Sequence, residues 1–292
     1  MRAQKRNDAA SPALPEVPEP TLPSLASGQH LGGYGIVVAG VGGTGVITIG
    51  QLLGMAGHLE GLGVVTQDSA GLAQKGGATW SHVLLASSAD EIRTTRVGVA
   101  DLVMGCDPIV SAGKETVQRM RAGRTRVAIN DHGTPTAAFV KNGAWGNPSE
   151  GCVADVLQAI GGADAAAQLG AFDANTIATR LMGDSIYINP MILGYAWQKG
   201  WVPLRRASLH RAIELNAVAV ANNLAAFEWG RRCAHDLPAV LALLQPAQVV
   251  QFKKRTPLED TITQREAFLT DYQNAAYAAS YRAFVDRVLA HS

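Results

Sequence analysis

A glycine-rich segment, residues 40–45, is the part of this chain whose residue types and spacing most clearly indicate chemistry. It follows an apolar run and precedes a helical pattern, which is the setting in which G-x-G-x-x-G binds an anion. There Gly40 permits a tight turn, Gly42 lets backbone N–H groups approach a phosphate, and Gly45 lets the helix pack close to its strand. The candidate binding residues are Gly40, Gly42, Gly43, Thr44 and Gly45. A turn needed only for close packing remains the alternative.

A second candidate loop contains Gln74, Lys75, Gly76 and Gly77. A basic residue before two glycines forms an anion-friendly concavity when it lies beside a glycine turn. We therefore expect this loop to share a binding site with residues 40–45, with an ordinary surface turn as the alternative. Asp68 follows the second predicted strand, where an acid binds ribose in dinucleotide-binding folds, but its spacing fits loosely. A turn-capping role for Asp68 is therefore also open.

The chain shows no evident local catalytic motif. Its cysteines are isolated and form no C-x-x-C, which argues against an iron–sulfur cluster or a structural zinc held by this chain alone. Residues 183–185 followed by Asn222 and Asn223 depart from the thiamine diphosphate signature in the third residue and in spacing. We expect His132 to be a surface or capping residue. An anion pocket without a catalytic set indicates a binding or structural module of a larger enzyme.

Composition excludes several classes of partner. The chain has 292 residues, of which 47% are apolar and 17% charged, so a large core can form. A net charge of +1 and the absence of any basic run longer than residues 253–255 give no support for nucleic acid as a partner. No apolar run approaches the ~18 residues of a membrane span, and no secretory signal is visible. Three scattered cysteines then favour a cytoplasmic location.

The elements that must position the candidate residues alternate in the α/β manner. Strands are predicted at Ile36–Ala39, Gly63–Gln67, Thr79–Ala86, Ala100–Gly105 and Arg126–Asn130. Helices are predicted at Val46–Leu59, Ser111–Arg121, Cys152–Ile160, Asn175–Met182 and Ile188–Lys199. Short apolar strands separated by helices favour a Rossmann-like α/β fold, with a mostly parallel sheet and helices on both faces.

Three further segments complete this organisation. Residues 1–33 contain five prolines and are predicted to form an extended, mobile tail. Residues 209–229 carry apolar side chains at three- and four-residue steps, which predicts one long helix with Ser208 as its N-cap. After a linker that begins at Pro246, residues 258–289 are predicted to form an aromatic-rich C-terminal helix that serves as a docking surface.

Residues 40–45 together with residues 71–78 resemble the γ module of 2-oxoacid:ferredoxin oxidoreductases. The runs 184–195, 211–216 and 229–232 are similar to the γ region of the long, fused indolepyruvate ferredoxin oxidoreductases. The resemblance covers about residues 34–290. It implies a γ-type α/β domain over residues 34–245, preceded by the tail at 1–33 and followed by the linker and docking helix at 246–292.

The resemblance implies a complex that decarboxylates an aryl 2-oxoacid, forms an acyl-CoA and passes electrons to ferredoxin. The γ module of this family carries neither the thiamine diphosphate motif nor the cluster cysteines. We therefore expect thiamine diphosphate and iron–sulfur clusters on a catalytic partner subunit, because this chain begins at Met1 and stops after its terminal helix. This chain would help to close the CoA site and be inactive alone. A stand-alone NAD(P)-dependent Rossmann dehydrogenase or a nucleotide-binding module is the alternative, and a catalytic constellation would distinguish it.

Overall fold

The structure is a computed structural model that describes residues 16–26, 30, 32–70, 77–132, 148–244 and 257–291. The chain divides between Gln245 and Pro246 into two compact units. The first unit contains the sheet, and the second contains two helices. Across the described ranges, no helix is both long enough and apolar enough to cross a membrane.

A six-stranded sheet forms the centre of the first unit. Its strands are β1 (Tyr34–Val41), β2 (Gly63–Ala70), β3 (Ala78–Ala86), β4 (Leu102–Gly105), β5 (Arg126–Asn130) and β6 (Leu169–Phe172). Their spatial order is β2-β3-β1-β4-β5-β6. Strands β1, β4, β5 and β6 pair in parallel, whereas β3 runs antiparallel to both of its neighbours. The predicted α/β sheet is therefore confirmed, with β3 as its reversed strand and β6 as a strand that the sequence analysis does not identify.

The helices of the first unit cover both faces of this sheet. They are α1 (Val46–Leu59), α2 (Pro108–Ala112), α3 (Lys114–Val117), α4 (Pro148–Ile160), α5 (Ala165–Gln168), α6 (Ala174–Met182), α7 (Ile188–Gln198), α8 (Arg206–Asn216), α9 (Val220–His235) and α10 (Leu237–Leu243). Successive strand residues point to opposite faces, so Val38 of β1 joins a core with α1, α7 and α9, and Val37 joins another with α4. Two cores on opposite faces explain why β1 is an unbroken apolar run.

The predicted single helix over residues 209–229 is wrong, because α8 and α9 are separate helices. Ala217 and Ala219 between them have positive φ angles of 55° and 42°. The side-chain amide of Asn223 donates to the Val218 carbonyl at 2.8 Å and helps to hold this turn. The predicted cap is also wrong, since α8 begins before Ser208. Alanine gives no sequence signal for left-handed backbone, so the apolar period continues across the break.

The predicted helix over residues 111–121 is interrupted in a similar way. It consists of α2 and α3, which are separated at Gly113. Gly113 has an extended backbone, with φ of −63° and ψ of 148°, so the helical hydrogen bonds cannot continue through it.

The sequence predicts a mobile tail at the N-terminus, but residues 16–26 pack against the rest of the first unit. The guanidinium of Arg231, which is 1% exposed, donates to the Val17 carbonyl at 2.8 Å. The side-chain amide of Gln198 donates to the Pro18 carbonyl, also at 2.8 Å. Leu22 and Leu25 pack against the core. Proline content predicts the extended backbone of this segment but carries no information about these contacts.

The second unit consists of α11 (Leu258–Tyr272) and α12 (Ala275–Leu289), so the prediction of one continuous C-terminal helix is wrong. The side chain of Asn274 caps α12 by accepting from the Tyr277 N–H at 2.9 Å. Arg282 of α12 pairs with Glu259 and Glu266 of α11, with N–O distances of 2.8 Å and 3.5 Å. Several large side chains of the pair are exposed, including Phe268, Tyr272 and Phe284. The docking role of this unit stays a prediction.

Candidate functional site

A cavity of about 400 Å³ lies at the carboxyl ends of β1, β4 and β5. In open α/β sheets this edge is where ligands bind, because loops from several strands meet there. Described residues from five segments of the chain line it: Val41, Gly43, Thr44, Cys106, Asp107, Asn130, His132, Asn175, Asp184, Ser185, Ile186, Ile188 and Asn189. The cavity therefore includes part of the predicted glycine segment and polar residues that are distant from it in sequence.

The glycine turn uses its N–H groups differently from the sequence prediction. The Gly42 N–H donates to the Gly77 carbonyl at 2.7 Å and is therefore not free for a phosphate. Left-handed backbone occurs instead at Gly43 and Gly45, with φ angles of 85° and 94°. These angles favour glycine because other L-residues clash there. The turn thus needs glycine at 43 and 45 for its conformation.

Close packing is provided by Gly40 rather than by Gly45. A Cβ atom on Gly40 would lie 2.8 Å from Val46 Cγ2 and 3.0 Å from Cys106 Cβ. A Cβ atom on Gly45 would meet only the side-chain amide of Asn189, at 3.5 Å. Gly40 therefore allows α1 and the β4 loop to lie against β1.

Thr44 connects the turn to the rest of the cavity wall. Its hydroxyl donates to the Val41 carbonyl at 2.7 Å, and its carbonyl accepts from the side chain of Asn189 at 2.8 Å. Asn189 belongs to α7 and is 4% exposed, so the bond fixes the turn against a buried part of the fold. The turn is thus rigidly placed at the cavity.

The second predicted loop is described only at its end. Gln74, Lys75 and Gly76 lie outside the described residues. Gly77 is described, and its carbonyl accepts the Gly42 N–H. The end of the second loop therefore lies in contact with the glycine turn, and the binding role of its other residues stays a prediction.

Aspartates occupy the N-termini of the other helical segments at this edge. Asp107 accepts from the Val110 N–H at 2.9 Å, Asp173 from Thr176 at 2.7 Å, and Asp184 from Ile186 at 3.0 Å. A carboxylate at this position satisfies free N–H groups and offsets the positive end of the helix. At α1, the residue in the N-cap position is Gly45, which has no side chain that could do the same.

His132 lines the cavity and is partly exposed, next to the N-cap residue Asp173, which agrees with the predicted surface or capping position. Its Nδ1 is 3.2 Å from Asp173 and its Nε2 is 3.2 Å from the Asn175 amide. Burial acts to raise the pKa of Asp173, but hydrogen bonds from Thr176 and His132 bring it below its ordinary value. Burial and the nearby Asp173 charge raise the pKa of Asp131. His132 could have been identified as a cavity residue from its position just after the apolar strand 126–130, at the carboxyl edge of the sheet.

Asp68 does not reach this cavity lining. Its carboxylate accepts from the Ser81 hydroxyl at 2.6 Å, across the pairing of β2 and β3. The acid that binds ribose in dinucleotide-binding folds is free to meet its ligand, whereas Asp68 has a cross-strand partner. This contact favours a structural role.

Two of the three cysteines of the first unit, Cys106 and Cys233, are buried. Burial raises the pKa of Cys106 to about 12, with the Asp107 charge adding to the effect, and burial also raises that of Cys233 to about 12. A thiol must lose its proton to bind a metal. Within the described ranges, no three His, Cys, Asp or Glu side chains lie close enough to hold a metal ion.

Comparison with known proteins shows the family. The profile described as pyruvate ferredoxin/flavodoxin oxidoreductase matches residues 35–233. The indolepyruvate oxidoreductase subunit IorB of Thermococcus kodakarensis is 25% identical over 206 residues, 70% of this chain and 97% of that protein. The subunit of the same name from Archaeoglobus fulgidus is 36% identical over 75 residues, so the match spans 25% of this chain and 35% of that relative's length.

A solved structure, the γ subunit of a keto/oxoacid ferredoxin oxidoreductase from Geobacter sulfurreducens, is 22% identical, with a TM-score of 0.46 over 69% of this chain and 98% of that one. The family profile alone spans more than half of the chain, and it includes the glycine turn and every described residue that lines the cavity. The chain therefore belongs to the pyruvate ferredoxin/flavodoxin oxidoreductase family, which confirms the resemblance found in its sequence.

Proposed function

We propose that this chain is the γ-type subunit of a cytoplasmic indolepyruvate-like ferredoxin oxidoreductase. In the overall reaction the bond to the carboxylate of an aryl 2-oxoacid breaks and releases CO₂. The remaining acyl group forms a thioester with CoA, and two electrons pass to ferredoxin. The observation that carries the proposal is the family match over residues 35–233. The near-complete coverage of a relative named as an indolepyruvate oxidoreductase subunit supports the substrate class.

The proposal assigns thiamine diphosphate and the iron–sulfur clusters to a catalytic partner subunit. Thiamine diphosphate supplies the carbanion chemistry of decarboxylation, and the clusters carry the electrons. The burial of Cys106 and Cys233 supports this division. The Asp184 carboxylate accepts from the Ile186 N–H, and the Asn222 amide donates to the Tyr187 hydroxyl, so both side chains have partners within this chain.

The role proposed for this chain is to close the CoA site. The residues involved are Gly40, Gly42, Gly43, Thr44, Gly45, Gln74, Lys75, Gly76 and Gly77. The contact between the Gly42 N–H and the Gly77 carbonyl supports a shared site, because it joins the two loops at 2.7 Å. The alternative of a stand-alone NAD(P)-dependent dehydrogenase is not favoured, since Asp68 is bonded to Ser81 and the Gly42 N–H is bonded to Gly77.

Substitution of Lys75 tests the CoA role in the assembled complex. Loss of one charge-assisted hydrogen bond to a phosphate costs about 1.5–3 kcal/mol, so Lys75→Ala should raise the KM for CoA at least roughly tenfold. The KM for the 2-oxoacid should stay nearly unchanged. Lys114→Ala, at an exposed position on α3, is the matched control. Equal effects of Lys75→Ala on both substrates would assign the loop a structural role and contradict the proposal.

A further inference from the structure

The sheet of the first unit ends in two edges of different length. At one edge β6 has four residues, whereas β2 at the other edge has eight and is about 27 Å long. Among the described residues, no strand pairs with the side of β2 that faces away from β3. The described elements that β2 mainly contacts are β3, α1 and the 3₁₀ turn Ala89–Glu91. The outer side of β2 therefore offers backbone N–H and C=O groups to a further strand.

The strand β2 lacks the features that keep an edge strand unpaired. Natural edge strands are protected by lysine or proline, by a bulge or by a short length. There is no proline, lysine or arginine in β2, and its pairing with β3 runs without a bulge from Gly63 to Ala70. Its one charged side chain, Asp68, accepts a hydrogen bond from Ser81 of β3. The strand is therefore suited to pairing on its outer side.

An apolar groove of about 510 Å³ lies beside this strand, between α1, β2 and α8. The apolar side chains that line it are Leu52, Met55, Val64, Ala212 and Leu215. Its described lining contains no aspartate, glutamate, lysine or arginine, and His58 is its one titratable side chain. Met55 and Leu215 are exposed to solvent. The outer side of β2 and this groove form one surface, the β2 surface, which offers backbone hydrogen bonds and apolar contact side by side.

The chemistry of the β2 surface fits a second copy of this chain. In a two-fold dimer the same patch meets itself, so a charged group near the axis approaches its own like-charged mate. The uncharged groove avoids this repulsion. A two-fold axis perpendicular to the sheet pairs two copies of one edge strand antiparallel, which is a regular ladder geometry. With the axis between Thr66 and Gln67, at the centre of β2, each Asp68 lies opposite Val65 of the other copy, and the two Asp68 side chains stay apart.

We infer that β2 pairs antiparallel with β2 of a second copy of this chain. The pairing joins two sheets of six strands into one continuous sheet and covers the exposed Met55 and Leu215 of both copies. The inference does not rest on the proposed CoA role, because it concerns the edge of the sheet that carries no part of the cavity beside the glycine turn.

Analytical ultracentrifugation of the full chain tests the dimer. The wild type should sediment as a dimer at micromolar concentration. Leu215→Glu places one carboxylate of each copy in the apolar contact and should raise the dimer dissociation constant at least roughly tenfold. Leu157→Glu, on α4 at the other face of the sheet, is the matched control, since the two leucines are 46% and 37% exposed. A monomeric wild type, or an equal effect of the two variants, would overturn the inference.

Cross-linking provides a second readout that identifies the contacting strand. Thr66 is exposed on β2, so Thr66→Cys in a Cys152→Ser background should be joined to a second copy by a short bismaleimide. The other cysteines, Cys106 and Cys233, are buried. Ser280→Cys, exposed in the second unit, is the control and should give no such product.

Two cross-linking results would contradict the inference. A dimer product from Ser280→Cys and none from Thr66→Cys would place self-association in the second unit and not at β2. In the assembled complex, a product that joins Thr66→Cys to the catalytic subunit instead of to a second copy would assign the β2 surface to that subunit. Either result overturns the pairing of β2 with β2.

Discussion

At the scale of the residue, the glycines of segment 40–45 act by three physical means. Gly40 removes a side chain that would contact Val46 and Cys106. Gly42 brings its N–H to the Gly77 carbonyl, and Gly45 adopts a left-handed backbone. A single motif in sequence therefore serves packing, loop-to-loop contact and conformation, and each substitution tests a different property.

Gly42→Val tests the contact between the two loops. The Cβ atom would lie 3.1 Å from the Thr79 hydroxyl oxygen and 3.3 Å from the Gly77 carbonyl oxygen, and valine adds two methyl groups beyond it. We expect the free energy of unfolding to fall by about 1–3 kcal/mol, measured by urea denaturation. Gly98→Val is the control, because nothing lies within 4 Å of its Cβ position. Equal stability of the two variants would show that the loops do not depend on this contact.

We predict that the folded protein loses stability at acidic pH because of His82 of β3. It is fully buried, and neither ring nitrogen has a hydrogen-bond partner among the residues that the structure describes. Burial, assisted by the Arg119 charge, lowers its pKa from 6.5 to about 4. Because the folded pKa is the lower one, the stabilising contribution is complete above about pH 6.5 and is lost as the pH falls towards 4.

The corresponding measurement is urea denaturation at pH 7 and pH 5. With a pKa near 6.5 in the unfolded chain, His82 is protonated there at pH 5 but stays mostly neutral in the folded protein. The free energy of unfolding should therefore be about 2 kcal/mol lower at pH 5 than at pH 7. His82→Leu should lose less stability than the wild type over the same interval, by about that amount. An identical pH dependence in both proteins would show that His82 does not control it.

At the scale of the element, a buried charge network holds the N-terminal segment. Arg231 donates to Val17, to Gln198 and to Glu228, at 2.8 Å, 3.0 Å and 2.7 Å. Burial acts to raise the pKa of Glu228, but His210 and the guanidinium groups of Arg231 and Arg206 lower it to about 2. The segment thus completes the hydrogen bonding of a buried cation, which explains why it lies against the body.

Arg231→Lys should loosen this segment. The ammonium group of lysine cannot reproduce the three hydrogen bonds that the planar guanidinium makes in different directions. Removal of one partner from a buried ion pair costs about 3–5 kcal/mol of stability. We expect a loss of about 2–4 kcal/mol and faster proteolysis within residues 16–26. Arg211→Lys, whose i,i+3 ion pair with Glu214 is exposed, should change stability by less than about 1 kcal/mol. Unchanged proteolysis in Arg231→Lys would contradict the role of the network.

We predict that the second unit binds the catalytic subunit through its exposed apolar side chains. Of its large apolar side chains, Ile262 is buried, whereas Phe268, Tyr272 and Phe284 are 56%, 73% and 57% exposed. A pair of short helices buries too little apolar surface to be stable alone. Deletion of residues 258–292 should leave the first unit folded by circular dichroism but abolish co-purification with the catalytic subunit. Retained co-purification would contradict the docking role, and a lost folded spectrum would assign these helices to the core.

At this scale the sequence predictions are accurate where local residues mark the start or the extent of an element. The bounds of α1 and β5 are predicted correctly, because a glycine turn marks the start of one and an apolar run defines the other. The break at Ala217 and Ala219 has no such signal, since alanine does not mark left-handed backbone in a sequence. The candidate site follows the same rule. The glycine turn is predicted from its local spacing, whereas His132 contacts Asp173 and Asn175, which are distant from it in sequence.

At the scale of the whole molecule, a family domain over residues 35–233 is extended at both ends. The N-terminal segment lies on the domain, and the C-terminal pair of helices forms a unit of its own. The described lining of the cavity at the sheet edge includes Asp107 and Asp184 and no lysine or arginine. We propose that this subunit binds and positions, while the catalytic partner supplies the reactive centres.

The most direct test of this account is reconstitution with the purified catalytic subunit. The measurement is the CoA-dependent rate of ferredoxin reduction on addition of indolepyruvate, with this chain alone, with the partner alone and with both. We expect turnover only in the mixture, together with stoichiometric formation of the acyl-CoA. Full activity of the partner alone with the same KM for CoA, or activity of this chain alone, would contradict it.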